Sequence, residues 1–520
     1  MSGSVKLKTL LEAISYQHIM GSIKGVSVSG ITADSRKILP GSVFVACLGG
    51  NFDGHDFIDQ AVAAGAVAVV GERKINDLSV PYILTENPRQ KLAYLAASFY
   101  GNPSQKLVVI GVTGTDGKTT TTNLMFKILE TAGFKTGMIS TVNAVIGDQV
   151  LDTGFHVTTP DSPDVQKYLA IMVKAGITHV VLETTSHGWE QFRVDACNFD
   201  IGIVTNVTHE HLDQHGSYQK YIAAKSRLFQ SLDISSEKDF GVGKLAVLNH
   251  DDSSFKYLDD NTKVRSISYG MGPGADFTAR DIKVVDSGLE FQIVDPGDKS
   301  TRISTGLIGK YNALNCTAAF SAAVVALGID RPIAAQGIFA LKRIPGRMEK
   351  IEYGQEFIAI VDFAHTPNAL KNSLDSARQL TKGKVIAVFG SAGLRDREKR
   401  RMMAEISSSM ADLSIFTAED PRTESLDDIL EEMAVGAKTL GRKHGVDFWC
   451  LPDRREAIRK GVHLASNGDL LIICGKGHEQ SMCFGTTEYP WDDRIALCSA
   501  LSELIGIDGP EMPFLPDPTG

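Results

Sequence analysis

Cysteine is sparse and unpaired in this sequence. Seven residues, at 47, 197, 316, 450, 474, 483 and 498, form an odd set without a C-x-x-C pair. That excludes a disulfide framework and a cysteine-rich zinc site, and the thiols read as small core residues of a reducing compartment. A basic excess is missing too: 53 Lys and Arg face 62 Asp and Glu, a formal net charge of −9. A general nucleic-acid binder shows the opposite balance. No apolar run is long enough to cross a bilayer. Lys6, Lys8 and Glu12 interrupt the leucines of residues 1–15, so a signal-peptide core is lacking as well. Membrane insertion is therefore not expected, and the expected location is cytoplasmic. Hydrophobic content of 43% and charged content of 22% are those of an ordinary globular chain. Its 520 residues predict about three domains.

The chain is organised around Val108–Thr122. An apolar run, Leu107–Val112, reads as a buried parallel strand. A glycine-rich turn follows, and Lys118 opens a segment with helical spacing at Leu124, Phe126, Ile128 and Leu129. Strand, glycine turn and Lys-Thr at a helix start are the parts of a phosphate cradle. Backbone N–H groups and the helix dipole face the anion, Lys118 reaches the outer phosphates, and a Thr hydroxyl binds Mg²⁺. The spacing departs from G-x-x-x-x-G-K-[ST], since Val112 stands where the first glycine would fall. The reading is a nucleoside triphosphate site.

Residues 1–102 form the first unit, with strands expected at Ile31–Ala33, Ser42–Ala46 and Ala66–Val70 and a helix at Phe57–Ala64. Its loops Asp34-Ser35-Arg36 and Asp53-Gly54-His55 carry polar groups that serve either as ligand contacts or as turn chemistry. Asn102-Pro103 is the expected linker. Residues 103–342 form an ATPase-like unit with further strands at Thr178–Thr184 and Ile201–Asn206, the α/β rhythm of a parallel sheet. A strand-rich insert, about 262–306, alternates apolar and polar residues and reads as antiparallel; a loop and an alanine-rich helix follow over Gly309–Leu327. Residues 343–520 restart the alternation. Strands are expected at Phe357–Val361, Val385–Phe389, Leu413–Thr417 and Leu470–Cys474, and helices at Asn368–Leu380, Glu398–Met410, Leu426–Leu440 and Arg454–Leu464. That is a second parallel domain of Rossmann-like layout. Asp508–Gly520, with four prolines, is expected to be a loose tail. The fold class is α/β in three domains.

Ligands of such sheets bind beyond the carboxyl ends of strands. Glu183 and His211 stand there with the cradle's Thr119, and together they are reasonable Mg²⁺ ligands. Taken alone, His211 reads first as a hydrogen-bonded structural histidine and only second as a ligand.

Several stretches together resemble one known family, the Mur ligases. They are Gly114-Thr115-Asp116-Gly117-Lys118-Thr119, Glu183–Gly188, Asn206…His211-Leu212-Asp213 and Ala223-Ala224-Lys225. Farther on come Gly346-Arg347-Met348-Glu349, Asp362-Phe363-Ala364-His365-Thr366-Pro367 and Gly475-Lys476-Gly477-His478-Glu479. The two N-terminal loops match as well, so the resemblance is collinear over nearly the whole chain. Within the family it is most similar to the MurE type, the UDP-N-acetylmuramoyl-tripeptide synthetases. The resemblance implies a UDP-binding N-terminal domain, a central P-loop ATPase domain and a C-terminal Rossmann-like domain that binds the amino acid. It implies an ATP-dependent ligase of peptidoglycan precursor synthesis, which phosphorylates the terminal carboxylate of UDP-MurNAc-L-Ala-D-Glu and lets a diamino acid attack the acyl phosphate. A monomer is expected.

Site roles carry over by position. Lys118, Glu183, His211 and Lys225 would be catalytic, with Lys225 carbamylated by CO₂ and joining Thr119, Glu183 and His211 as Mg²⁺ ligands. Outside the family context, Lys225 reads as a helix-surface lysine. Gly114, Thr115, Asp116, Gly117, Lys118, Thr119 and Thr120 would cradle ATP. Asn312 and Asn315 lie near the adenine, Asp362 on the ribose side, and Arg347 and His365 at the triphosphate. Ser35 would belong to the UDP pocket, and Thr158, Thr159, Ser186, Gln191 and Arg193 would contact the muramoyl peptide.

For the amino acid, Arg395 and Arg422 each stand in a loop just beyond an expected strand, where an arginine fork can grip a carboxylate. Diaminopimelate-adding members carry Asp-Asn-Pro-Arg, aligned here with Glu419-Asp420-Pro421-Arg422. Arg422 would hold the distal carboxylate of meso-diaminopimelate and Glu479 its distal ammonium, with Gly475 in the same loop. Asp420 in place of an amide adds negative charge, which should weaken diaminopimelate and leaves lysine or ornithine open. A folylpolyglutamate-synthetase-like ligase and a non-catalytic nucleotide-binding subunit also stay open.

Overall fold

The computed structural model describes residues 3–49, 52–147, 149–151, 159–208 and 216–517. Three successive sheets carry the chain. The first runs His18–Met20, Tyr82–Leu84, Ala68–Gly71, Ser42–Val45, Gly30–Thr32 across the sheet, all pairs parallel except the first. Ser42–Val45 and Ala68–Gly71 are buried on both faces, so they lack alternation. Leu10, Leu92 and Leu95 pack on one side and Ile58 and Ala61 on the other. The helix expected over Phe57–Ala64 begins as a 3₁₀ turn, Gly54–Phe57, and continues as Ile58–Ala63.

Among the described residues the central sheet has eleven strands. Its parallel core lies in the order Thr136–Ile139, His179–Glu183, Val108–Thr113, Ile201–Val204, Leu245–Asn249, Arg265–Gly270. The insert was expected to be antiparallel, but it extends this sheet. Arg265–Gly270 pairs parallel with Leu245–Asn249. Antiparallel pairing begins only between Phe277–Val285 and Gly288–Val294, and Ser300–Thr305 closes the edge. Along Val108–Thr113, Val108, Ile110 and Val112 face the helix Lys118–Thr131, while Val109 faces Ser162–Lys174 and Tyr218–Ile234. The helices Asn312–Leu327 and Arg331–Ala340 cover the first of these faces. A Cβ at Gly337 would come within 2.6 Å of Ile128 Cα, so glycine sets that close approach.

The third sheet runs Glu349–Lys350, Ile358–Asp362, Leu470–Cys474, Val385–Phe389, Leu413–Phe416, Phe448–Cys450, parallel after the first pair. Val385–Phe389, Leu470–Cys474, Glu398–Met410 and Arg454–Leu464 have the bounds expected from sequence. The short edge strand Phe448–Cys450 and the helix Asp493–Ile505 were not foreseen. The tail is not loose through its described residues. Leu515 is buried in the third core, Met512 packs against it, and the Phe514 ring lies 6.3 Å from that of Tyr489. Its prolines prevent regular structure, but its apolar side chains still gain from burial. Among the described residues, no helix is long and apolar enough to cross a membrane.

Candidate active site

The cradle follows the strand Val108–Thr113, with Gly114 at φ +146° and Gly117 at φ +81°. Both need glycine. A Cβ at Gly114 would overlap Thr205 Oγ1, and one at Gly117 would come within 2.5 Å of Asn315 Oδ1. The loop is lashed to the neighbouring strand end: Thr115 N donates to Asn206 O (2.7 Å), Asp116 N to Asn206 Oδ1 (2.9 Å) and Thr205 Oγ1 to Asp116 O (2.6 Å). Gly117 has no side chain to cap Lys118–Thr131, so first-turn N–H groups at the positive helix end stay available for an anion. Lys118 Nζ donates to Thr115 O at 2.7 Å, which keeps its ammonium over the loop. Thr120 is buried in the same turn.

Glu183 ends the adjacent strand and is 1% exposed. It accepts from Thr119 Oγ1 (3.1 Å), Thr141 Oγ1 (2.8 Å) and Thr141 N (3.1 Å). No basic side chain among the described residues pairs with it. A buried carboxylate surrounded only by neutral donors, beside a threonine hydroxyl, is an all-oxygen set suited to a hard divalent cation such as Mg²⁺. Arg347 reaches this point from the third unit. Its Nη2 donates to Thr119 Oγ1 at 3.1 Å, its guanidinium lies 4.3 Å from the Phe363 ring, and its buried Nε has no partner. His211 and Thr158 lie outside the described residues.

Burial overturns the helix-surface reading of Lys225. It is 1% exposed within Tyr218–Ile234, with Nζ 2.5 Å from Gly114 O and 4.5 Å from the Tyr221 ring centre. Tyr221 OH in turn lies 3.0 Å from Thr115 Oγ1. The lysine therefore touches the cradle's first glycine.

Asn315 Nδ2 donates to Asn312 Oδ1 (2.8 Å), and Asn312 Nδ2 to Ile308 O (2.7 Å), so the two asparagines back the cradle as a pair. Asp362 accepts from Met348 N (2.9 Å) and Ser373 Oγ (2.5 Å); it fastens the turn that carries Arg347. His365 Nδ1 donates to Phe363 O at 2.8 Å, and burial, with Lys399 nearby, holds its pKa well below the ordinary histidine range. Asn368 bridges the cleft a second time, its Nδ2 donating to Asp116 Oδ2 at 2.9 Å. The sequence had assigned no role to Asn368.

Thr159, Ser186, Gln191 and Arg193 come together beside Glu183. Thr159 Oγ1 donates to Glu183 O (3.3 Å), and Arg193 Nη1 donates to Thr159 O (2.6 Å). Gln191 Oε1 accepts from Arg193 Nε at 3.0 Å, and Ser186 opens the helix capped by Thr185. Ser35 lies apart in a 3₁₀ turn of the first unit with no hydrogen bond to these residues. In that turn Asp34 accepts from Arg36, which holds its carboxyl below the usual range. His55 is fixed between Asp53 Oδ1 (2.7 Å) and Glu72 N (3.1 Å), and a Cβ at Gly54 would come within 2.7 Å of Cys47 N and O. The Asp-Gly-His loop is turn chemistry turned inward.

The residues expected from sequence to bind the amino acid gather on loops after three strands of the third sheet. Glu419 is buried, its Oε2 has no partner, and burial pushes its carboxyl up to about 7 against the pull of Lys399, Arg454 and Lys476. Gly475, at φ +112°, leaves room for it, since a Cβ there would overlap Glu419 Oε2. Arg422, at φ +56°, is held through its backbone N to Cys483 O (3.1 Å), with Nη1 3.5 Å from Gly393 O. Arg395 is exposed in the neighbouring loop. Asp420 corrects an expectation. Its Oδ1 accepts from Cys483 N (3.0 Å) and from Nζ of the fully buried Lys476 (2.9 Å), so its charge does not stand uncompensated. Lys476 Nζ also lies 2.6 Å from Glu479 Oε2. The loop's lysine was legible as part of a motif, but nothing local showed which carboxylates it meets.

Three family profiles match in order: the Mur ligase family, catalytic domain, over residues 27–100; the Mur ligase middle domain over 112–323; and the Mur ligase, glutamate ligase domain over 346–477. A UDP-N-acetylmuramyl-tripeptide synthetase of Roseiflexus sp. (strain RS-1) is 42% identical over 492 residues, 92% of this chain and 95% of its own. The chain belongs to the Mur ligase family. Another Mur ligase relative, from Geobacillus kaustophilus (strain HTA426), is a UDP-N-acetylmuramoyl-L-alanyl-D-glutamate–2,6-diaminopimelate ligase, 39% identical over 476 residues (92% of this chain, 95% of its own). A solved structure of a ligase with that activity is 28% identical, with a TM-score of 0.65, covering 97% of this chain and all of that one. This Mur ligase has the family's α/β architecture, with a parallel sheet at its centre and another in its C-terminal part.

Proposed function

We propose that this Mur ligase forms an amide bond between UDP-N-acetylmuramoyl-L-alanyl-D-glutamate and a diamino acid, meso-diaminopimelate in the first place, driven by ATP. The observation that carries the reading is the chain Arg347–Thr119–Glu183, which joins the third unit to the cradle through hydrogen bonds of 3.1 Å each. The activities of the relatives supply the substrate class, and the neutralised Asp420 removes the ground for preferring lysine or ornithine.

The chemistry follows from what a carboxylate cannot do. It is too poor an electrophile to take an amine, so ATP converts it to an acyl phosphate with release of ADP. The amine then adds to the carbonyl, and the tetrahedral intermediate expels phosphate as the nitrogen sheds its proton. Phosphoryl transfer requires positioning and charge neutralisation rather than a protein nucleophile. Lys118 and Arg347 supply positive charge from the two sides of the cleft, and the first turn of Lys118–Thr131 supplies N–H donors. Thr159, Ser186, Gln191 and Arg193 hold the muramoyl peptide next to Glu183. Arg422 takes the distal carboxylate of the amino acid and Glu479 its distal ammonium. Thr119 and Glu183, with His211, would hold Mg²⁺, which when bound neutralises phosphate charge. Lys225, carbamylated, would turn a buried cation against the cradle into an oxygen donor. Activity lost in Lys225→Ala and regained with short carboxylic acids is the expected result for that carbamate.

The deciding experiment is phosphate release with the UDP-precursor and a panel of diaminopimelate, lysine, ornithine and glutamate. Release dependent on both the precursor and diaminopimelate is expected. No release with any diamino acid, or release driven by glutamate on a folate substrate, defeats the reading.

A further inference from the structure

Arg347 and Asn368 both reach from the third unit to the cradle, and their bonds land on either side of Lys118. Arg347 Nη2 donates to Thr119 Oγ1 at 3.1 Å, and Asn368 Nδ2 donates to Asp116 Oδ2 at 2.9 Å. The donors stand on different segments, Arg347 in the turn before the strand Glu349–Lys350 and Asn368 in the first turn of the helix Pro367–Leu380. Asp362 ties those segments together. Its Oδ1 accepts from Met348 N (2.9 Å), next to Arg347, and its Oδ2 accepts from Ser373 Oγ (2.5 Å), inside the helix. Asp362 and Ser373 are both buried, so water does not compete for these bonds. Thr366 caps the helix by accepting from Ala369 N at 3.1 Å, which fixes the turn that carries Asn368. The Arg347 guanidinium lies 4.3 Å from the ring of Phe363, the residue after Asp362. A continuous frame therefore runs from Asn368 to Arg347.

From this we infer that Asn368 is a positioning residue: its bond to Asp116 holds the Arg347 guanidinium, through Ser373 and Asp362, over the triphosphate end of the cradle. The inference rests on the ATP-binding part of the ligase reading above and adds the second anchor that aims its arginine. A single bond at Thr119 would leave the third unit free to pivot about that point. A second bond, at Asp116 on the far side of Lys118, removes the pivot. The amide is matched to its partner. A carboxylate at 116 accepts from Asn368, whereas a second carboxylate at 368 would push the helix away and carry Arg347 with it.

The test is a set of variants of the full-length enzyme: Asn368→Asp, the exchanged pair Asp116→Asn with Asn368→Asp, Arg347→Ala, and Arg347→Ala with Asn368→Asp. It is read as the Kd for magnesium-ATP by calorimetry at low salt, which needs no turnover. Asn368→Asp is expected to weaken ATP about fivefold. The exchanged pair restores an amide–carboxylate bond and the wild-type charge, and its Kd is expected within about twofold of wild type. On the Arg347→Ala background, Asn368→Asp is expected to change the Kd by less than about twofold, because the arginine it aims is gone. Direct repulsion between the new carboxylate and the phosphates would instead persist on that background. A loss of about fivefold that survives in Arg347→Ala, or an exchanged pair that binds as weakly as Asn368→Asp, overturns the inference. If Arg347→Ala weakens ATP beyond the reach of calorimetry, the exchanged pair still decides. A wild type that binds ATP but releases no phosphate with any diamino acid sinks the ligase reading instead, and the cycle is then still decided by binding.

Discussion

Replacing Arg454 by methionine should uncouple the amino-acid pocket from the sheet beneath it. Arg454 and Asp493 are both fully buried and paired by a two-pronged fork, Nε to Oδ1 at 2.8 Å and Nη2 to Oδ2 at 2.7 Å. The same guanidinium donates to Ala418 O (3.0 Å) and Cys474 O (2.8 Å), the carbonyls just before Glu419–Arg422 and Gly475–Glu479. Methionine removes all four bonds and leaves Asp493 with Trp491 Nε1 at 2.9 Å as its side-chain donor. Stranding a buried carboxylate costs about 3–5 kcal/mol. Each carbonyl that loses a charged donor adds roughly 1–2 kcal/mol. The total rivals a whole domain's stability of about 5–15 kcal/mol. Arg454→Lys keeps the charge but not the fork, so its loss should be roughly 1–3 kcal/mol. Urea unfolding followed by tryptophan fluorescence reads this, since Trp449 and the buried Trp491 both belong to the third unit. The lysine variant should also raise the KM for the diamino acid more than the KM for ATP. Equal unfolding midpoints for wild type and Arg454→Met, or a lysine variant that shifts both KM values alike, would refute the reasoning.

Glu183→Gln should cut phosphate release by about 10²–10³-fold while calorimetric binding of the UDP-precursor is retained; a variant near wild-type rate removes Glu183 from the chemistry. Glu419 should give a pH signature in stability. Its folded pKa of about 7 lies above its ordinary carboxyl value, so the folded state holds the extra proton. Stability is therefore lost as pH rises from the carboxylate range through 7, and Glu419→Gln should flatten that fall in urea titrations across the window. Asn368→Asp sets a second carboxylate against Asp116, across what is now a 2.9 Å hydrogen bond. Because the contact is exposed, the penalty should be about 1 kcal/mol, seen as a higher KM for ATP at low salt that vanishes at high salt. Arg422→Ala should abolish diaminopimelate use selectively, and equal losses with lysine in the amino-acid panel would contradict the carboxylate assignment.

Elements governed by neighbours in the chain were legible without coordinates. Val385–Phe389 is an unbroken apolar run, and Glu398–Met410 repeats its buried residues at helical spacing, so both bounds could be read off residue by residue. The cradle was equally local, because left-handed glycines and Lys-Thr at a helix start are written within a few positions. Composition alone argued against a disulfide frame and a general nucleic-acid surface. What the sequence could not settle was which distant groups meet. The Arg347–Thr119 bond spans 228 positions and the Lys476–Asp420 pair 56, and neither leaves a periodic trace. The same limit hid the join of the 262–306 strands to the central sheet, the docking of Leu515 and the burial of Lys225. Local propensity states what a side chain can do, but its charge, exposure and partner are set by packing, and a lysine reads the same in sequence whether it faces water or two carboxylates. Tertiary structure alone turned Asp420 from a charge that would repel the substrate into one already neutralised by Lys476.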